Sequence, residues 1–255
     1  MPKVRVLPEN DRGGPVRGNM LEMFRSWQGE GPYAGVRQIF ARLSGCHLRC
    51  GYCDTPESWT RSKTWTCGGE TFANPADSSD VIAVVRKWAA REKFHSVSFT
   101  GGEPLLQPGF LRELALETRK GGLETYIDTS ATLPRAFEKV ADAFDYFALD
   151  YKLPSTPGVE MREEEFAACL ALARGKRFVK IVTTADARLD EIARAARIIA
   201  REGRDIPVIL QIATPVNPET VPPGENLLAR ARRSIEKEGL PVLVLPQLHV
   251  LAGWK

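Results

Sequence analysis

The eight residues "VRQIFARL" at 36–43 alternate in a way that a β-strand sorts into two faces. Val36, Gln38, Phe40 and Arg42 fall on one face, and Arg37, Ile39, Ala41 and Leu43 on the other. Further β-rich runs recur along the chain: "SVSFT", "LETYID", "DYFALD", "RFVKIVTT", "PVILQIA" and "PVLVLPQ". Helical segments are predicted over 81–93, 109–120, 134–141, 162–174, 187–202 and 225–238. Strand and helix therefore alternate along most of the chain, which predicts parallel βα units. About seven strands and six helices predict an α/β fold, a full or partial parallel (β/α) barrel of about six βα units. Residues 1–19 are polar and Pro/Gly-rich and read as a flexible N-terminal arm. Residues 56–80, with Gly68, Gly69, Pro75 and several Ser and Thr, read as a long loop or insertion. No second domain is evident, so residues 1–255 are expected to form one.

In a parallel barrel the chemistry sits at the C-terminal ends of the strands. A cysteine-rich loop follows the first strand here. "TGGEP" (100–104) follows "SVSF", "DTSAT" (128–132) follows "LETYI", "DYK" (150–152) follows "YFAL", and "IATP" (212–215) follows "PVIL".

Composition narrows the class. A net charge of +3 among 35 basic and 32 acidic side chains is too slight an imbalance for a nucleic-acid surface. No apolar run approaches the ~18 residues of a membrane span. The N-terminus also lacks the apolar segment of a secretory signal. A cytoplasmic protein is expected, in a compartment that keeps thiols reduced.

Three of the five cysteines lie within "CHLRCGYC", at Cys46, Cys50 and Cys53. Structural zinc wants four N/S ligands, usually as paired knuckles, and a second knuckle is missing. Cys67 has no close Cys or His, Cys169 falls in a predicted amphipathic helix, and His47 sits where the loop should curl. Three thiolates suit a four-iron cluster that keeps one iron open for a small chelating ligand.

This pattern, with aromatic Tyr52 before the last cysteine and "TGGEP" after the next strand, resembles the radical S-adenosylmethionine superfamily. The resemblance implies a 4Fe-4S cluster on Cys46, Cys50 and Cys53, with S-adenosylmethionine chelated at the open iron and cleaved to a deoxyadenosyl radical. The stretch 22–55, with "SWQGEG", Arg42 and "CDT", resembles the 7-carboxy-7-deazaguanine synthase family more narrowly. So do "GGEPLLQ", "DYKLPS", "VKIV" and "PQLHVLAG". The resemblance implies radical ring contraction of 6-carboxy-5,6,7,8-tetrahydropterin with release of ammonia, assisted by Mg²⁺. It also implies an external, flavodoxin-like electron donor and a homodimer.

It implies the following site residues. Trp27, Gln28, Gly29, Glu30, Arg42 and Thr100 would meet the substrate. Tyr52, Cys53, Asp54, Gly102, Glu103, Asp150, Tyr151, Lys152, Gln211, Ile212, Ala213 and Thr214 would meet the cofactor, and Thr55 would ligate magnesium. The residues themselves support part of this. Arg42 faces the lumen if Ile39, Ala41 and Leu43 pack on helices, and a buried guanidinium needs a partner. A substrate carboxylate fits it in bidentate geometry, and a structural ion pair with a barrel acid is the alternative. Glu30 can accept two parallel hydrogen bonds from the guanidine-like edge of a pterin. The glycines of "TGGEP" permit close backbone approach, and Glu103 suits an ammonium. Lys180, in parity with Phe178 and Val182, reads as a strand-end surface charge. His249 reads as a satisfied structural histidine. His47 in place of Asn, and "DTSAT" in place of something nearer "ETNGT", depart from the family pattern. The rival readings are a radical activating enzyme with a protein substrate and a non-enzymatic iron-sulfur or zinc protein.

Overall fold

The structure, a computed structural model, describes residues 15–255. Its strands are β1 (Arg17–Gly18), β2 (Met20–Trp27), β3 (Arg37–Leu43), β4 (Thr64–Cys67), β5 (Glu70–Ala73), β6 (Ala76–Asp77), β7 (Ser96–Gly101), β8 (Glu124–Thr129), β9 (Tyr146–Asp150), β10 (Lys176–Thr183), β11 (Val208–Ile212) and β12 (Val242–Leu245). Its helices are α1 (Ser78–Ala89), α2 (Pro108–Lys120), α3 (Pro134–Glu138), α4 (Glu163–Leu172), α5 (Leu189–Glu202), α6 (Glu225–Glu236) and α7 (Leu248–Leu251).

The main sheet runs β12-β11-β10-β9-β8-β7-β3-β2-β4-β5. From β3 through β7 to β12 every neighbouring pair is parallel, with α1 to α6 as the six crossovers. Among the described residues β12 and β5 are the edges, so the barrel is partial, not closed. The sheet continues past β3 through β2, which is antiparallel to it.

The alternation of 36–43 holds. Ile39, Ala41 and Leu43 are fully buried in the layer shared with the helices, alongside Val97, Phe99, Ile127, Leu149, Val179, Ile181 and Leu210. Each such aliphatic or aromatic side chain contributes about 1.5–3 kcal/mol by leaving water. The opposite face of the strands is the lumen, where Tyr126, Tyr146, Ala148, Phe178 and Ile209 form a second, smaller cluster.

Two expectations need correction. Residues 56–80 are not one long loop. They hold a 3-10 turn at Pro56–Trp59, the β4–β5 hairpin, β6 and the start of α1. Stacking of Trp65 on Phe72, with centroids 4.7 Å apart, steadies the hairpin. Of the expected N-terminal arm, 1–14 lie outside the described residues, whereas Arg17–Gly18 pairs with Ala76–Asp77. Strand β2 escapes a sequence reading because "MLEMFRSW" mixes burial on both faces, with a bulge between Met20 and Glu22.

Candidate active site

The cysteine loop hangs from the C-terminal end of β3. Backbone bonds tie it down: Gly45 N donates to Ser58 O (2.7 Å), Cys46 N to Trp59 O (3.0 Å), Arg49 N to Gly158 O (3.1 Å) and Gly51 N to Pro157 O (2.9 Å). The glycines of "TGGEP" serve this loop. Gly101 has φ +130°, and a Cβ there would lie 2.0 Å from Leu43 O. A Cβ on Gly102 would lie 2.3 Å from Gly45 O. Only glycine lets the end of β7 press against the start of the loop.

One cavity at the strand C-termini is lined by Cys46, Cys50 and Cys53 together, while Cys67 sits on the hairpin and Cys169 in the core. Burial, with Glu103 nearby, pushes the Cys46 thiol up to about 12, and burial raises Cys50 and Cys53 as well. Metal ligation requires thiolates, and iron supplies the positive charge that offsets such burial. Three soft donors on one wall and no fourth thiol there fit a cluster with an open iron.

Beside them, Lys152 Nζ donates to Asp150 Oδ2 at 2.7 Å and lies 5.2 Å from the Tyr52 ring centroid. Burial opposes its charge, but Asp150, Tyr52 and Cys50 prevail and hold it well above its ordinary range. Asp150 Oδ1 and the Tyr52 hydroxyl are buried without partners among the described residues. Both are acceptor or donor positions beside the cluster loop.

Arg42 points into the lumen as strand parity requires. Its Nε donates to Glu22 Oε1 (3.1 Å), its Nη1 donates to Thr55 Oγ1 (2.9 Å), and it lies over the Phe24 ring. A structural ion pair with Glu22 therefore exists, and it holds the guanidinium on the cavity wall. Lys255 Nζ reaches the other oxygen of Glu22 at 2.5 Å and lines the same wall.

The lumen between these walls carries an ionic cup. Lys180 Nζ donates to Glu30 Oε2 (2.7 Å) and Asp128 Oδ2 (3.0 Å) and lies 3.9 Å from Asp150. Gln247 Nε2 donates to the other oxygen of Glu30 at 2.7 Å. Burial disfavours the Lys180 charge, but Asp128, Glu30 and Asp150 hold it well above the usual lysine range. Burial, with Glu30 and Asp150 close by, outweighs Lys180 at Asp128 and lifts that carboxyl to about 6. Asp54 faces His249, with Nε2–Oδ2 3.7 Å, and Glu30, Asp54 and His249 each offer a ligand atom within 4.8 Å of the others.

Of the residues assigned from the sequence, Trp27, Gln28, Gly29, Glu30, Arg42, Tyr52, Asp54, Thr100, Gly102, Glu103, Asp150, Lys152, Ala213 and Thr214 line this cavity with the three cysteines. Six residues sit otherwise than the sequence alone suggests. Lys180 is no surface charge: it is 4% exposed at the centre of the cup. The Glu103 carboxylate already accepts from Leu105 N, Thr129 Oγ1, Ser130 N and Ser130 Oγ. Four donors occupy its lone pairs, so it braces the 129–130 turn from the cavity wall. Tyr151 turns outward, donating to Glu163 and packing edge-on to Phe166. Gln211 and Ile212 do not line the cavity, and the Gln211 amide donates to Leu245 O. Thr55 is buried behind the wall, held by Arg42 and Asp54. Ser98, Asp128, Lys180, Gln247, His249 and Lys255 are lining residues that the sequence reading misses. Parity could have found three of them, since Ser98, Asp128 and Lys180 each continue the lumen face of their strand.

A half-barrel that gathers three cysteines and a glycine-braced strand end on one cavity defines a radical S-adenosylmethionine protein. The Radical SAM superfamily profile accordingly matches residues 42–184. Along nearly its whole length the chain is similar to 7-carboxy-7-deazaguanine synthases. It is 34% identical to that of Geobacter sulfurreducens over 247 residues, 91% of this chain and 96% of that one. It is 35% identical to that of Methanopyrus kandleri over 253 residues, 95% and 97% of the two chains. The chain belongs to the 7-carboxy-7-deazaguanine synthase family. The crystal structure of QueE from Escherichia coli shares the fold, with a TM-score of 0.61 at 22% identity, covering 89% of this chain and 93% of that one. TYW1 with a lysine-pyruvate adduct shares it more loosely, with a TM-score of 0.54 at 14% identity, covering 79% and 74%.

Proposed function

We propose that this chain contracts the ring of 6-carboxy-5,6,7,8-tetrahydropterin to 7-carboxy-7-deazaguanine and releases ammonia. The observation that carries this reading is Arg42, a guanidinium on the wall of the cavity that also holds Cys46, Cys50 and Cys53. When bound by these thiolates, a 4Fe-4S cluster with S-adenosylmethionine supplies the radical that abstracts a substrate hydrogen.

The chain's own residues bind and orient. Arg42 takes the substrate carboxylate while Glu22 keeps its fork in place. Trp27, Gln28, Gly29 and Thr100 shape the pterin pocket. Glu30, already bonded on each oxygen by Lys180 and Gln247, retains acceptor capacity for the N–H edge of the ring. Gly102 offers its backbone to the methionyl amine, beside Glu103. Asp150, Lys152, Ala213 and Thr214 hold the remainder of the cofactor.

Mg²⁺ prefers oxygen ligands and keeps several waters. Asp54 and the neighbouring Thr55 hydroxyl suit it directly, and Glu30 and His249 suit it through water. Thr55→Ala should then load its cluster normally yet respond weakly to added Mg²⁺, and full magnesium activation of this variant would contradict the ligand role. The reading also takes a flavodoxin-like donor as the electron source, a homodimer as the working unit and the cytoplasm as the compartment. Among the described residues no helix is long and apolar enough to cross a membrane. The deciding experiment is anaerobic incubation of the reconstituted protein with carboxytetrahydropterin, S-adenosylmethionine and dithionite. Formation of 7-carboxy-7-deazaguanine is expected; cofactor cleavage without that product would overturn the substrate assignment.

A further inference from the structure

Two serines on β7 have opposite hydrogen-bond status. Ser96 and Ser98 lie two residues apart on the lumen face of one strand, at 0% and 1% exposure. Ser96 Oγ accepts from Gln38 Nε2 at 2.8 Å and meets His95 Nδ1 at 3.0 Å. Ser98 Oγ is buried and has no hydrogen-bond partner among the described residues. Its lateral neighbours across the sheet are Phe40 on β3 and Tyr126 on β8. Yet Ser98 lines the active-site cavity, as Ser96 does not.

A buried hydroxyl without a partner is costly, and apolar residues of similar size would avoid that cost. Ser98 lines the cavity and its hydroxyl is unpaired among the described residues, so the partner that offsets its burial comes from a ligand. Thr100, assigned to the substrate, lies two residues further along the same face, roughly 6–7 Å nearer the mouth. A hydroxyl below Thr100 meets the inner edge of whatever Arg42 holds at the wall. Because it both donates and accepts, it matches either a ring N–H or a ring carbonyl.

We infer that Ser98 is a substrate-binding residue whose hydroxyl hydrogen-bonds the inner N–H or C=O edge of the bicyclic substrate. This rests on the carboxypterin reading above. Ser98→Ala should raise the KM and equilibrium Kd for carboxytetrahydropterin about three- to tenfold. Affinity for S-adenosylmethionine and uncoupled cofactor cleavage should be unchanged. The melting temperature should hold or rise, because the deletion removes an unsatisfied group. Ser96→Ala should do the reverse, lowering the melting temperature with KM unchanged, because it strands Gln38 and His95. Unchanged pterin affinity in Ser98→Ala, with normal turnover by the wild type, would overturn the inference alone. A loss of melting temperature in Ser98→Ala, or a loss of S-adenosylmethionine affinity in place of pterin affinity, would also overturn it. A wild type that neither binds nor converts the pterin would sink the carboxypterin reading and this inference with it.

Discussion

The two ends of the lumen are built from the same strand faces and are chemically opposite. Toward the N-terminal ends of the strands, Tyr126, Tyr146 and Phe178 meet Tyr33, with Tyr33 and Tyr146 edge-on at 4.9 Å and Tyr126 and Tyr146 stacked at 6.0 Å. Two residues further along β8 and β10, the same face presents Asp128 and Lys180, and four further along β9 it presents Asp150. Parity alone decides what points inward. Position along the strand decides whether the inward group closes a dry plug or joins an ionic cup. The plug supports the cup physically: Lys180, Asp128 and Glu30 interact strongly because aromatic rings exclude water beneath them.

If the mouth end alone carries chemistry, the largest effect belongs to its thiols. Replacing Cys46, Cys50 or Cys53 with Ala should abolish cluster binding and S-adenosylmethionine cleavage. Cys67→Ala and Cys169→Ala should retain both. Iron and sulfide content with an anaerobic cleavage assay checks this, and a cluster lost in Cys67→Ala would break the assignment.

Next come paired substitutions that separate plug from cup. Phe178→Ala should cost about 3–5 kcal/mol of stability, nearly independent of pH, because it leaves a cavity. Lys180→Met should cost a similar ~3–5 kcal/mol near neutrality, because it leaves buried carboxylates unpaired. Its cost should shrink as pH falls and those carboxyls take up protons. Urea unfolding at several pH values distinguishes them. A pH-independent Lys180→Met deficit would mean the cup is held by packing and not by charge.

A smaller effect tests the wall. One charge-assisted hydrogen bond is worth roughly 1.5–3 kcal/mol, and each 1.4 kcal/mol is about tenfold in affinity. Arg42→Ala should therefore weaken substrate binding about 10- to 100-fold while uncoupled cofactor cleavage survives. Arg42→Lys should rescue it only in part, since lysine lacks the planar fork. Unchanged affinity in Arg42→Ala would leave Arg42 as the partner of Glu22 and nothing more.

The contrast between the two ends also explains what the sequence could disclose. Period-2 alternation makes the inward direction of Arg42 legible in the chain itself, and the cysteine spacing locates the cluster loop. Neither tells how far up the lumen a side chain sits, so Lys180 reads as a surface charge although it is centred among three carboxylates. Glu103 is legible only in part, for a related reason. A motif shows that a carboxylate is present but not that Thr129, Ser130 and Leu105 donate to it. Strand β2 escapes because it buries residues on both faces and is broken by a bulge, and the hairpin after the loop because β5, at the sheet edge, is exposed throughout and carries no clean alternation. Gln247, His249 and Lys255 are distant in sequence from every other site residue, and only the fold brings them to Glu30, Asp54 and Glu22.

The smallest effect concerns the acid at the boundary between plug and cup. Asp128 stands one inward step from Tyr126, and its carboxyl is raised from 3.8 to about 6 by burial with Glu30 and Asp150 near, against the pull of Lys180. The folded state therefore binds a proton at pH values where the unfolded chain has released it. Between about pH 4 and 6 the native state holds more protons, so this group's contribution to stability falls as pH rises and levels off above its folded value. Asp128→Asn removes the titration while keeping an oxygen to accept from Lys180. The stability of the wild type relative to Asp128→Asn should decline from pH 5 to pH 7, with most of the change below pH 6.5. Urea unfolding of both proteins across that range measures it. A constant difference would mean that Lys180 offsets the burial of Asp128 completely, and that the ionic cup begins one residue step lower than the aromatic plug allows.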